Sequence, residues 1–320
     1  MLSSWAVCVA LWTLSIQSVR AAAPDNTSST WVPLENVKNI CGRDDSYSSG
    51  VYTFSTNRLE PQGAVGWQCM EVGDAPHRFN NESAWAVSWM WEDDSATTLH
   101  GFPNARINHT VLPTRISGIN TLWLYAIWTY VAGNGTAKAI DGVINVDMAA
   151  NVVLDIFIDS DPQKAGSPTE AKHELMVWLG AYGGVLPIGY KSTPVKKRTV
   201  GKVNFNLYEG TNERGQHVYS WMADTNTTTF FSDISALVQS LAKDSGDGFS
   251  DDDYIGLVRL GTQTYHTKSN SSVTFTAQVM KLEVIPGIPK PLDSGVGSLR
   301  VGFGSILLPV GVGLAAIFFG

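Results

Sequence analysis

Trp85-Ala86-Val87-Ser88-Trp89-Met90-Trp91 alternates large apolar and smaller residues with a period of two. In a β-strand successive side chains point to opposite faces, so Trp85, Val87, Trp89 and Trp91 share one face. Further strand candidates are Val152 to Ile158, Glu174 to Leu179, Lys202 to Tyr208, His217 to Ala223, Tyr254 to Leu260 and Val273 to Val284, with turn residues between. One segment has helical spacing instead. Ser232 can cap it, Ile234, Leu237, Val238 and Leu241 form its apolar stripe, and Gly246 follows its end. Many short strands and a single helix predict an all-β domain, a sandwich or jelly roll, over residues 41–286.

The chain has 320 residues, of which 44% are hydrophobic and 10% aromatic, with 11 Trp. A disordered chain would be poor in aromatics and rich in charge. The formal net charge is -7, from 22 basic and 29 acidic residues. Binding to phosphate backbones needs the opposite sign, which argues against nucleic acid as a partner.

The two ends read as addresses. Residues 1–23 have an apolar core from Trp5 to Ile16 and a small-residue cleavage zone at Ala21-Ala22-Ala23, the pattern of a secretory signal. Residues 24–40 are polar and read as a linker. Residues 287–300 form a spacer containing the small residues Asp293-Ser294-Gly295, and residues 301–320 are apolar with nothing after them. That order predicts a glycosylphosphatidylinositol signal, with attachment at Asp293 or Ser294, so the chain would be tied to a membrane through a lipid. Six N-x-Ser/Thr sites, at Asn26, Asn81, Asn108, Asn134, Asn226 and Asn270, fit a secreted glycoprotein at the outer face of the plasma membrane or in the cell wall. Cys8 would leave with the signal. Cys41 and Cys69 then remain in an oxidising compartment, and one disulfide is the simple expectation.

Common catalytic signatures are missing: there is no G-x-S-x-G, no Walker loop and no Rossmann fingerprint. His173-Glu174 is not continued as H-E-x-x-H, because residue 177 is Val, and the six His are scattered. Neither a metal nor a cofactor is expected. The informative features are acids inside apolar strands. Asp155 sits in Val-Val-Leu-Asp-Ile-Phe-Ile, and Glu174 in His-Glu-Leu-Met-Val-Trp. Strand alternation places Glu174, Met176 and Trp178 on one face, and Asp155 with Phe157 on one face. A carboxylate facing inward costs several kcal/mol unless it is paired, protonated or at a wet cleft. Two readings stay open: outward-facing acids on a one-sided sheet, or a carbohydrate cleft in which indoles stack on sugar rings and acids act on the glycosidic bond.

Here the chain resembles glycoside hydrolase family 12, the small endo-β-1,4-glucanases and xyloglucanases. Glu174-Leu175-Met176-Val177-Trp178-Leu179-Gly180, followed by Pro187-Ile188-Gly189, is similar to the family's nucleophile strand and the loop after it. Leu154-Asp155-Ile156-Phe157 resembles the strand with an auxiliary aspartate. Ser88-Trp89-Met90-Trp91 resembles its Trp-x-Trp strand, and Gly101-Phe102-Pro103-Asn104-Ala105 its Tyr-Pro-Asn segment. Val218-Tyr219-Ser220-Trp221 and the helix after Phe231 also fit, and Cys41 and Cys69 match its N-terminal disulfide. The resemblance implies a jelly-roll β-sandwich of two curved antiparallel sheets, of the concanavalin A-like type. Its cleft would take β-1,4-glucan or xyloglucan, bound by a monomer. It implies Glu174 as nucleophile, Asp155 as the carboxyl that tunes it, and Trp178, Met176, Trp89, Trp91, Asn104 and Pro187 as substrate-binding candidates. For Trp89 and Trp91, plain core packing is an equal alternative.

Two positions depart from the family pattern. Where the family has Phe-Gly-Thr-Glu, this chain has Leu260-Gly261-Thr262-Gln263, so Gln263 stands at the acid/base position. A carboxamide keeps the shape but cannot give up a proton at physiological pH. Where the family has Asn-Leu-Trp-Gly, the chain has Asn57-Arg58-Leu59-Glu60, which replaces a sugar platform by Leu59. Two expectations follow: a retaining endo-glucanase crippled at Gln263, or a non-catalytic glucan-binding or wall-structural protein that keeps the same cleft.

Overall fold

A computed structural model describes residues 34–74, 82–92, 98–133, 146–191, 193–244 and 248–292. The signal, the lipid-attachment segment and the sequons Asn26, Asn81 and Asn134 lie outside them. No helix among the described residues is long and apolar enough to cross a membrane.

Two sheets pack face to face. The smaller has the order β1 (Glu35–Ile40), β4 (Gly66–Asp74), β5 (Ser83–Trp91), β17 (Val273–Pro286), β8 (Ile119–Ala132) and β14 (Thr229–Asp233). The larger runs β11 (Lys196–Val200), β12 (Val203–Thr211), β13 (His217–Ala223), β10 (His173–Tyr182), β9 (Ala149–Asp159), β15 (Tyr254–Gly261), β6 (Asn104–Ile107), β3 (Tyr52–Ser55) and β2 (Ser46–Ser49). Two short strands join it at its margins, β7 (Thr114–Arg115) beside β15 and β16 (Thr264–His266) beside β9. The expected β-sandwich is therefore present. One pairing differs from the expected antiparallel sheets: β10 and β13 run parallel.

The alternating stretch that opened the sequence is β5. Its Trp85, Val87, Trp89 and Trp91 point between the sheets and are fully buried, together with Trp128, Trp221, Phe54, Phe205 and Phe275. Trp85 meets Phe275 with ring centroids 5.1 Å apart. Side chains of this size remove roughly 150–250 Å² each from water and dominate the stability of such a layer. Trp91 also donates from Nε1 to Thr264 Oγ1 at 3.2 Å and stacks on His100 at 4.9 Å.

The helix forms over Ser235–Asp244 (α2). Ser232 belongs to β14, and Asp233 supplies the acceptor, Oδ1 taking the N–H of Ser235 at 3.0 Å and that of Leu122 at 3.1 Å. A second, one-turn helix, Pro162–Ala165 (α1), was not expected. Asp161 caps it through Gln163 N, with Pro162 at its first position. The expected linker is shorter than 24–40, because Glu35–Ile40 adds an edge strand to β4. Polar side chains hide such an edge strand from sequence patterning, since an edge needs no buried face. Cys41, at the end of β1, is joined by a disulfide to Cys69 in β4.

Candidate active site

The larger sheet has a core face and an outer face. In β10, Leu175, Val177 and Leu179 enter the core, which sends Glu174, Met176 and Trp178 to the outer face. In β9, Leu154, Ile156 and Ile158 enter the core, which sends Asn151, Val153, Asp155 and Phe157 outward. In β15 the core takes Val258 and Leu260, and Arg259 faces outward. Strand register sets Met176 beside Asp155, and Asp155 beside Arg259. Both acids singled out from sequence thus lie on the same face, away from the sandwich core.

Asp155 is 1% exposed. Its Oδ2 accepts from Arg259 Nη2 at 2.8 Å and Nε at 2.9 Å. The Arg259 guanidinium lies over two rings, 4.8 Å from the centroid of Phe102 and 5.2 Å from that of Phe157. Burial pushes the Asp155 carboxyl above its usual range, against the pull of Arg259. Glu174 feels burial and then the neighbouring Asp155 charge, which together raise its pKa to about 8, opposed by Arg259 and by a hydrogen bond from Asn212. That bond is from Asn212 Nδ2 to Glu174 Oε2, at 3.1 Å. Asn212 is itself held in the loop between β12 and β13. Its Oδ1 accepts from the backbone of Arg214 and Gln216, and its Nδ2 also reaches Gln216 Oε1 at 2.9 Å. The two carboxyls form one coupled unit in which burial pushes both upward and the Arg259 guanidinium sits on Asp155.

Gln263 follows β15 and sits beside the opposite end of β9. Its N–H donates to Asn151 Oδ1 at 2.9 Å, and its O accepts from Asn151 N at 3.2 Å. Its Oε1 accepts from Asn151 Nδ2 and, at 3.0 Å, from Tyr265 OH. The Tyr265 phenol is pushed up by burial and then by the Glu174 charge, so one hydroxyl is coupled both to Gln263 and to Glu174. Asn151, Asn212, Arg259 and Tyr265 were not identified as site residues from sequence. The one available signal was Arg259, a charge within the apolar run Leu257-Val258-Arg259-Leu260.

The remaining candidates divide. Trp89 and Trp91 do not line this face. At 0% and 1% exposure they are core between the sheets, and the cleft assignment is corrected. Met176 and Trp178 are on the outer face but only 5% and 2% exposed, packed with Phe102, Val153, Val185 and Val218. Their faces are covered by protein, not open to a sugar. Pro187 is buried in the turn after β10, where its carbonyl accepts from Tyr190 N at 3.1 Å. Gly189 closes that turn with φ +77°, and a Cβ there would lie 1.8 Å from Glu209 O, so only glycine allows the loop to meet β12. Asn104 is buried, donates to Phe102 O at 2.7 Å, and lines an open polar groove of about 360 Å³ with Asp44, Thr53, Arg106 and Arg259.

Leu59, at the altered platform position, is half-buried, and its N–H donates to His100 O at 2.8 Å. The neighbouring Arg58 pairs with Glu60 and lies over Trp91. Of the described sequons, Asn108, Asn226 and Asn270 are all exposed. Asn226 is tied on both sides of its amide to the Ala181 backbone, at 2.8 Å each. No group of three or more His, Cys, Asp or Glu among the described residues is arranged to hold a metal ion.

Comparison with known proteins bears on the family. The model of glycosyl hydrolase family 12 matches residues 50–283. A xyloglucan-specific endo-beta-1,4-glucanase A of Aspergillus aculeatus is 28% identical over 253 residues, covering 78% of this chain and 93% of that protein. Its namesake from Emericella nidulans is 28% identical over 240 residues, covering 75% and 89%. Among solved structures, the catalytic domain of Humicola grisea Cel12A superposes with a TM-score of 0.63 at 23% identity, covering 78% of this chain and 99% of that one. Trichoderma harzianum endoglucanase 3 superposes with a TM-score of 0.64 at 22% identity, covering 78% and 98%. At those identities the structures speak for the fold, while the family match spans most of the chain, from before β3 to within β17, and takes in Asp155, Glu174 and Gln263: the chain belongs to glycosyl hydrolase family 12.

Proposed function

We propose that this chain is a secreted, lipid-anchored, monomeric member of the family at the outer cell surface or wall. It is directed at β-1,4-glucan or xyloglucan, with hydrolysis strongly reduced by Gln263. The observation that carries the proposal is the assembly of Glu174, Asp155 and Gln263 on one face of the larger sheet, with a carboxamide where the family reaction needs a proton donor. In retaining hydrolysis one carboxylate attacks the anomeric carbon, while a second carboxyl protonates the leaving oxygen and then activates water. Glu174 has the place of the first. Gln263 offers N–H hydrogen bonds to the leaving oxygen but no proton. Loss of general acid/base help slows such reactions by about 10²–10⁴-fold.

Purified protein is expected to release little reducing sugar from xyloglucan or β-glucan, and Gln263→Glu is expected to raise the rate. Substantial and equal rates for both forms would overturn the assignment of Gln263.

A second reading, binding without hydrolysis, is favoured by the fixed Gln263 amide and by the open polar groove beside Asn104 and Arg259. Isothermal titration with cello- or xyloglucan oligomers tests it. Saturable heat without product supports binding. Absence of heat at millimolar ligand favours a wall-structural role.

A further inference from the structure

The orientation of the Gln263 carboxamide follows from a chain of hydrogen bonds that starts at the backbone. The Gln263 N–H can only donate, so the atom of Asn151 that receives it at 2.9 Å is the oxygen Oδ1. The other terminal atom of Asn151 is then the amino group Nδ2, which can only donate. It faces the Gln263 side chain, so the atom it meets is Oε1. A flipped Gln263 would set two amino groups against each other. Tyr265 OH adds a second donor to the same oxygen at 3.0 Å. Burial keeps that phenol protonated, so it remains a donor across the physiological range. With Oε1 taken twice, Nε2 is directed elsewhere.

We propose that Tyr265, acting with Asn151, is a positioning residue that locks the side chain at position 263 with its oxygen held and its amino group presented to the outer face, and that the same two donors would hold a carboxyl placed there in its ionised form. The inference rests on the reading of Gln263 as the acid/base position. It adds that the surroundings of the position hold an amide well, so that placing Glu there alone restores proton donation poorly.

Two donated hydrogen bonds favour the charged form of a carboxyl. The ionisable groups around the position act on it as well. Glu174 from β10 and Asp155 from β9 favour its neutral form. Arg259 from β15, already bound to Asp155, favours the charged one. His266, next to Tyr265, is 3.9 Å from Asp147. All of these are shared by variants that differ only in the Tyr265 hydroxyl, so comparing such variants isolates its effect.

The test uses the full chain in three forms, Gln263→Glu, Tyr265→Phe and the double variant, with ¹³C-carboxyl-labelled glutamate. In the first and third forms one resonance absent from the parent reports the introduced carboxyl. Its titration midpoint is expected to rise by at least one pH unit when Tyr265→Phe is added to Gln263→Glu. Xyloglucan hydrolysis at pH 7 is expected to rise at least tenfold over the single Gln263→Glu variant. Equal midpoints in the two forms would overturn the inference, whatever the rates. Cleavage of 2,4-dinitrophenyl β-cellobioside, whose leaving group needs no protonation, is measured in parallel. If no form cleaves it, the catalytic reading of Glu174 fails, while the midpoints still decide the role of Tyr265.

Discussion

Arg259 closes both Nη2 and Nε onto a single oxygen of Asp155, at 2.8 and 2.9 Å, beneath the rings of Phe102 and Phe157. Asp155 is almost wholly removed from water while Arg259 is 14% exposed at the groove, so the carboxylate follows the rules of a buried ion. Arg259→Met leaves a buried charge without its partner and is expected to destabilise the fold by about 3–5 kcal/mol in urea unfolding. Adding Asp155→Asn removes the orphaned charge and is expected to recover much of that loss. Additive losses in the double variant would show that the two residues do not act as a pair.

Glu174 carries the pH dependence of the site. Its folded pKa, raised to about 8 by burial and by Asp155, lies above the ordinary 4.5. The folded state therefore holds a proton that the unfolded chain has released. The resulting stability is fully present below pH 4.5 and is lost as pH rises through 8. Stability is therefore expected to fall as pH rises within that window. Glu174→Gln should remove this component, as read from unfolding midpoints at a series of pH values. With Glu174 as the proposed nucleophile, cleavage of an aryl cellobioside by the parent should climb with pH toward 8, because only a carboxylate attacks.

Asn212 donates to Glu174 and so favours its charged form. In Asn212→Ala that bond is lost, and the alkaline rise of aryl cellobioside cleavage should move to still higher pH. An unchanged profile would remove Asn212 from the site.

The indoles of β5 should behave as core. Trp89→Ala and Trp91→Ala are each expected to cost about 3–5 kcal/mol of stability through the cavity left behind. Oligosaccharide affinity per folded molecule should be retained. A selective loss of affinity with intact unfolding midpoints would return these residues to the cleft.

The Cys41–Cys69 bond spans 28 positions. On the chain-entropy account, Cys69→Ser should cost about 3–4 kcal/mol. Since the bond anchors β1 to β4, hydrogen exchange should show the loss first as freer exchange in Glu35–Ile40.

Local pattern made a good part of this protein legible. Alternation located β5, strand-type runs between turn signals located β9, β10, β12, β13, β15 and β17, and the apolar runs marked Asp155 and Glu174 as charges that needed a reason. Their place in a family motif supplied that reason, and the same comparison exposed Gln263. Alternation separates the two faces of a strand but does not say which face meets the second sheet. Trp89 and Glu174 therefore looked equally eligible for a cleft until packing put one inside and the other out.

Partners distant in sequence were beyond reach for the same physical reason. Arg259 meets Asp155 across 104 positions, and Gln263 meets Asn151 across 112. Such pairs exist only once β9 and β15 are neighbours in a given register, which is set by the whole sheet and by no single segment. The parallel pairing of β10 with β13, the edge strand β1 and the place of Tyr265 against the Gln263 oxygen are of this kind. The sequence by itself marked seven of the strands, the two acids and the departure of Gln263 from the family pattern. Only the tertiary structure decided which side chains hold them, because hydrogen bonds and burial depend on neighbours that chain order does not specify.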